Sequence, residues 1–181
     1  MKQKIIARLV AVICEKGYSE MSISSISEAT GLKKSSLYHF FPEGKAQIAY
    51  EIVQFVDDML THSFEQIMHE NELPLTKFNK ILDVLSDCYQ QGQQGCLIDI
   101  MTISYIDERT QLAIKDLLLK LIGLFKRIFI LKGSTEQAAE EKAIETVMLI
   151  QGSLVLSRAT KQPVYFMNCI HKLKTGKSTA S

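Results

Sequence analysis

The chain has 181 residues, 46% of them hydrophobic, with 21 Lys+Arg against 20 Asp+Glu and a formal net charge of +1. That length allows one small domain of about fifty residues and one larger domain with a substantial core. The near-neutral balance argues against a polybasic coat protein, and no run nears the roughly 18 apolar residues of a membrane span.

Charge is unevenly placed: residues 1–50 hold seven Lys+Arg against four Asp+Glu, and the remainder holds fourteen against sixteen. A basic head on a mildly acidic body suits a local contact with a polyanion. Cys14, Cys88, Cys96 and Cys169 form no Cys-x-x-Cys pair, and with His39, His62, His69 and His171 they make no usual metal-ligand spacing. No metal or other cofactor is therefore expected. The start reads as an amphipathic helix rather than a signal peptide, so a cytoplasmic chain is expected.

Ile6, Leu9, Val10 and Ile13 keep the i, i+3, i+4, i+7 spacing of one helical face, and Gly17 marks its stop. Ser22 can cap a second helix that runs through Ile23 and Ile26 to about Thr30. Gly31 can take the left-handed conformation that ends it in a tight turn. A third helix then carries Leu37, Phe40 and Phe41 on one stripe, at i, i+3 and i+4.

Its other face offers Lys33, Lys34, Ser35, Ser36, Tyr38 and His39. Lysines displace counterions from phosphates, and hydroxyls and imidazole donate to phosphate oxygens or base edges. Helix, glycine turn and helix make a helix-turn-helix, in which the second helix enters a major groove. Ser22, Ser24 and Ser25 join the expected DNA contacts from the preceding helix.

From about Ile5 to Ile48 the order and spacing of these residues resemble the amino-terminal domain of the tetracycline-repressor (TetR) family of bacterial transcriptional regulators. Gly17-Tyr18 closes the first helix, Ser22-Ile23 opens the second, Gly31 is the turn, and Leu37-Tyr38-His39-Phe40-Phe41 is close to the family's recognition-helix ending. The resemblance implies that Lys45 opens a long fourth helix whose amino terminus faces a phosphate. Lys33 departs from a frequent capping serine, Ser35 from a frequent glycine, Thr30 from a small apolar residue, and Phe41-Pro42-Glu43-Gly44-Lys45 from a shorter link.

Everything beyond Lys45 reads helical. Ile48, Ile52, Phe55, Val56 and Met59 stripe a helix to near Glu70, and Pro74 fits the first turn of the next. Phe78, Ile81, Leu82 and Leu85 stripe that helix to about Gln91, before a polar, glycine-marked break over 90–95. Helix resumes from Cys96 to Tyr105, and another opens at Asp107 or Glu108 and ends at Gly133. Ser134-Thr135-Glu136-Gln137 reads as an S-x-x-Q capping box. The stretch Thr146 to Ser157 is apolar around much of its circumference, so one face needs cover from outside the subunit. With the helix from Pro163 to Leu173 it is expected to pair with a second copy as a four-helix bundle. The residues assigned to that interface are Leu149, Gly152, Ser153, Leu156, Phe166, Met167 and Ile170.

These elements specify an all-α chain: a three-helix helix-turn-helix DNA-binding head over 1–47, a larger helical ligand-binding and dimerisation domain over 48–174, and a flexible tail over 175–181. The resemblance implies a small-molecule effector in the larger domain. Tyr89, Met101, Tyr105, Phe125 and Met148 are the expected lining for a hydrophobic or aromatic compound, and Gln151 the orienting contact. The expected function is a sequence-specific, ligand-responsive repressor that binds a palindromic operator as a homodimer. No nucleophile-base-acid set or phosphate-cradling glycine loop points to an enzyme. The competing class is a helical protein-interaction module, which would not need the Lys33–His39 face.

Overall fold

A computed structural model describes residues 2–102 and 104–176. Among the described residues the chain is helical with no strand: α1 (Lys2–Lys16), α2 (Ile23–Thr30), α3 (Lys34–Phe40), α4 (Lys45–His69), α5 (Pro74–Cys88), a short 3-10 turn (Gln90–Gly92), α6 (Leu97–Thr102), α7 (Glu108–Leu131), α8 (Glu136–Thr160) and α9 (Val164–Thr175). No helix among them is long and apolar enough to cross a membrane. The chain divides into two compact units, 1–60 with 97–116, and 61–96 with 117–181. Helices α4 and α7 each contribute to both, so the 47/48 border of the sequence reading falls inside the continuous α4.

In the first unit, Leu9, Ile13, Ile26, Leu37, Phe41, Ile48 and Ile52 are completely buried. They come from α1, α2, α3 and its cap, and α4, which is why a seven-residue helix such as α3 holds its place: tertiary burial supplies what short helices lack. On α1 the stripe is Ile5, Ile6, Leu9 and Ile13, with Val10 at its margin.

The second unit packs α5, α8 and α9 with the later parts of α4 and α7. Phe78 sits 5.6 Å from Phe125 and 5.5 Å from Phe129, in edge and tilted contacts that favour aromatic pairs. Buried Lys77 donates from Nζ to the Met68 carbonyl at 2.5 Å, satisfying a carbonyl at the end of α4. Lys126 pairs with Glu136 and Glu140 of α8.

Four local expectations change. Helix α5 stops at Cys88, and Gln90, Gln91 and Gly92 all take positive φ. A Cβ at Gly92 would lie 2.8 Å from Phe166 Cβ, so only glycine lets this turn meet α9. Helix α6 ends at Thr102 rather than Tyr105, and the Thr102 and Ser104 hydroxyls donate to the Asp99 and Ile100 carbonyls at its end. Helix α8 is capped by Thr135, whose Oγ1 accepts from Ala138 N, whereas Ser134 accepts from Lys142. Of the expected tail, Thr175 closes α9 and Gly176 caps it, and 177–181 lie outside the described residues.

Candidate nucleic-acid interface

Helix α2 is set by a reciprocal serine pair. Ser22 Oγ accepts from Ser25 N at 3.0 Å, and Ser25 Oγ accepts from Ser22 N at 2.8 Å. Ser25 is thus occupied by its own backbone, while Ser22 and Ser24 stay exposed. Gly31 follows at φ 71 and donates to the Ser27 carbonyl at 2.9 Å. Two hydroxyls then lock the turn: Ser27 Oγ donates to Leu32 O at 2.5 Å, and Thr30 Oγ1 donates to Ile26 O at 2.7 Å. The sequence reading assigns neither hydroxyl this role, although a Thr in the last turn of a helix, able to reach the carbonyl four residues back, is a usable signal for Thr30.

Helix α3 starts at Lys34, after Lys33, which has extended backbone and gives no side-chain cap. Leu37 and Phe41 are fully buried, and Phe40 lies between surface and core, its ring edge-on to His39 at 5.7 Å. With that anchoring, Lys33, Lys34, Ser35, Tyr38 and His39 face outward, and Ser36 lies at the margin. Among the described residues these outward side chains make no hydrogen bond or ion pair with the protein. They form a short ridge of cations and donors free to bond elsewhere.

The turn after α3 brings Lys45 to the start of α4. Its ammonium lies 4.1 Å above the Tyr18 ring, a cation–π contact. Burial lowers the Lys45 pKa from its ordinary value, with Glu20 opposing, and burial followed by the charge of Asp107 raises that of Tyr18. The Gly44 Cβ position is 3.9 Å from the Tyr38 ring, so the turn flanks the outward ridge. Glu43, also in that turn, pairs with Arg109 at 2.9 Å. Its backbone N–H donates to Gln47, which donates to Glu51, which in turn accepts from Lys2.

The residues assigned to an effector divide between the two units. Met101 is buried in the first. Tyr105 is 100% exposed and lines no interior, because α6 stops short of it. In the second unit Tyr89 and Phe125 are buried, but Met148 is 67% exposed and belongs to an outer groove. Tyr89 lies with Cys96 Sγ 3.7 Å from its hydroxyl; burial, then Cys96, raises its pKa well above the ordinary value, and Gln151 opposes the shift. Gln151 does so as a donor facing the Tyr89 oxygen, although its buried amide nitrogen makes no well-aligned hydrogen bond among the described residues.

Helices α8 and α9 bound an open groove of about 1020 Å³ that includes Met148, Leu149, Gly152, Val155, Leu156 and Tyr165. Of the interface residues expected from sequence, Leu149, Gly152, Leu156 and Met167 lie outward. Phe166 and Ile170 do not: they fill the subunit's own core, Phe166 against Tyr89 at 5.8 Å and over Gly92. Ser153 is buried too, its hydroxyl donated to the Ile150 carbonyl. The inward stripe of α9 is therefore Phe166 and Ile170, and Val164, Tyr165 and Met167 face out.

Among the described residues no His, Cys, Asp and Glu cluster would hold a metal ion. Residues 5–52 match the family model described as bacterial regulatory proteins, tetR family. The chain is 23% identical over 164 residues to the HTH-type transcriptional regulator YxaF of Bacillus subtilis, covering 88% of this chain and 86% of that one. It is 23% identical over 184 residues to the HTH-type transcriptional regulator LmrA of the same organism, covering 95% of each. Its fold matches the crystal structure of a TetR transcriptional regulator from Legionella pneumophila with a TM-score of 0.87 at 20% identity, over 96% of this chain and 95% of that one.

Proposed function

The chain belongs, by its amino-terminal domain, to the tetR family of bacterial regulatory proteins, and from that premise we propose that it is a DNA-binding transcriptional regulator that represses from a palindromic operator as a homodimer and releases it on binding a small molecule. The observation that carries the reading is α3 itself. Leu37 and Phe41 fix its underside in the core, and among the described residues the side chains of Lys33, Lys34, Ser35, Tyr38 and His39 make no hydrogen bond or ion pair with the protein. A helix whose donors are unspent suits a groove whose walls and floor are acceptors.

Ser22 and Ser24 at the start of α2, and Lys45 with the amino terminus of α4, are the proposed phosphate contacts beside it. Dimerisation follows from reach. One seven-residue helix reads only a few base pairs, and a two-fold pair doubles the readout on a symmetric site. The outward apolar residues of α8 and α9 supply a self-complementary surface for that pair.

For the effector, the supporting observation is the Gln151 side chain, buried beside the Tyr89 hydroxyl, whose amide nitrogen makes no well-aligned hydrogen bond among the described residues. An unmet buried donor costs about 1–3 kcal/mol, which a ligand acceptor such as a carbonyl would recover. Tyr89 and Gln151 are the proposed contacts of that ligand, and Phe125, buried in the same unit, is a further proposed lining residue. Because α4 runs through both compact units, a ligand that favours one setting of that helix shifts operator affinity by its differential binding energy.

Lys34→Ala tests the ridge. Operator affinity is expected to fall, and the slope of log K against log salt to become shallower by about 1, as for one lost phosphate contact. Fluorescence anisotropy over a salt series reads both. Unchanged affinity and slope would favour a helical protein-interaction module, in which this face is mere surface.

A further inference from the structure

Arg109 stands where its own helix disfavours it. It lies in the first turn of α7, whose start is fixed by Asp107 Oδ1 accepting from Thr110 N at 2.7 Å. A cation at a helix amino terminus opposes the macrodipole. The explanation lies across the fold: its guanidinium bonds Glu43 Oε2 at 2.9 Å and lies 4.5 Å from the Tyr50 ring centre. Stacking on Tyr50 holds the plane that meets the carboxylate.

Glu43 is the reason the pair matters. It is an exposed carboxylate in the turn between α3 and α4, one residue from Gly44, where a Cβ would lie 3.9 Å from the Tyr38 ring, and two from Lys45. Beside a duplex, a bare carboxylate there would repel phosphates that Lys34, Tyr38 and Lys45 attract. We propose that Arg109 is a positioning residue for DNA binding, holding Glu43 by charge pairing so that the recognition-helix turn meets the phosphate backbone without a net negative charge. As an exposed pair its worth to folding is small, so its role is electrostatic. Within a Debye length of about 10 Å, one unmasked charge is expected to change operator affinity about threefold to tenfold.

Arg109 acts this way only if α3 sits on a duplex, so the same titration first asks whether the wild-type full chain binds its selected operator. No wild-type binding removes the DNA reading, and this role with it. Given wild-type binding, Arg109→Ala is expected to weaken affinity about threefold to tenfold and Glu43→Gln to tighten it. Combining the two should return affinity to within about twofold of wild type. Because Glu43→Gln keeps Arg109 on Tyr50, its sign is informative even if Arg109→Ala disturbs folding. Weakening by Glu43→Gln would identify a merely structural brace. A deficit in Arg109→Ala that Glu43→Gln leaves uncorrected, with the salt slope shallower by about 1, would identify Arg109 as a phosphate ligand in its own right. Either outcome overturns the proposed role.

Discussion

Leu156→Asp is expected to convert the protein to a monomer and to cut operator affinity by about a hundredfold or more. Leu156 is 52% exposed on α8, in the groove it shares with Met148, Leu149, Val155 and Tyr165. The change therefore leaves the subunit's own core intact. In the proposed two-fold dimer through α8 and α9 the same leucine is covered, since a stable interface of about 800 Å² per partner would take in much of this groove. A carboxylate trapped there without a partner costs several kcal/mol, and twice over, since symmetry places one in each copy.

Operator binding falls because the second head then no longer binds at the high effective concentration set by the first; linkage of this kind is worth about 10²–10⁴ in affinity. Sedimentation velocity would report the mass, circular dichroism the retained helix, and anisotropy the affinity. A dimeric Leu156→Asp with wild-type affinity would remove the α8–α9 face from the assembly.

Leu37→Ala is expected to destabilise the first unit by about 2–5 kcal/mol, the range for truncating a buried leucine whose site cannot collapse. Its neighbours offer no substitute. Helix α3 has seven residues and no side-chain cap, and Leu37 and Phe41 are its only fully buried anchors. Hydrogen exchange should show the amides of α2 and α3 exchanging much faster, while α8 and α9 stay protected. Operator affinity should fall with the population of folded heads, and Leu37→Met, which keeps the volume, should restore most of both. Equal loss of protection in both units would show that the first does not fold as a unit of its own.

The head was legible because its signals are local. Ser22, Gly31 and the Leu37/Phe41 pair act within one or two turns of chain, and the structure seats each as read. The acidic partner of Arg109 was not, because Glu43 is 66 positions away and only the folded chain brings them together. Neighbouring Ser134 and Thr135 offered two caps one residue apart, and the geometry chose the second.

In the second unit the failure has a physical cause. Helix α8 is apolar on both faces, so its pattern does not say which face points inward, and Met148 was assigned to the interior although it is exposed. On α9 the reverse holds: Phe166 and Ile170, four residues apart on one helical stripe, fill the core although the pattern alone suits an interface equally well. Periodicity finds a stripe without naming what covers it. Tyr105 lies outside for a different reason: α6 ends at Thr102, before reaching it.

In the proposed function α3 presents its outer ridge to a duplex. An unbiased selection from random double-stranded oligonucleotides, at moderate ionic strength and without added small molecule, tests it most directly. Enrichment of a two-fold symmetric sequence, with half-sites about one helical turn apart and binding lost in Tyr38→Ala, is the predicted result. Recovery of no preferred sequence by the wild-type chain would contradict it.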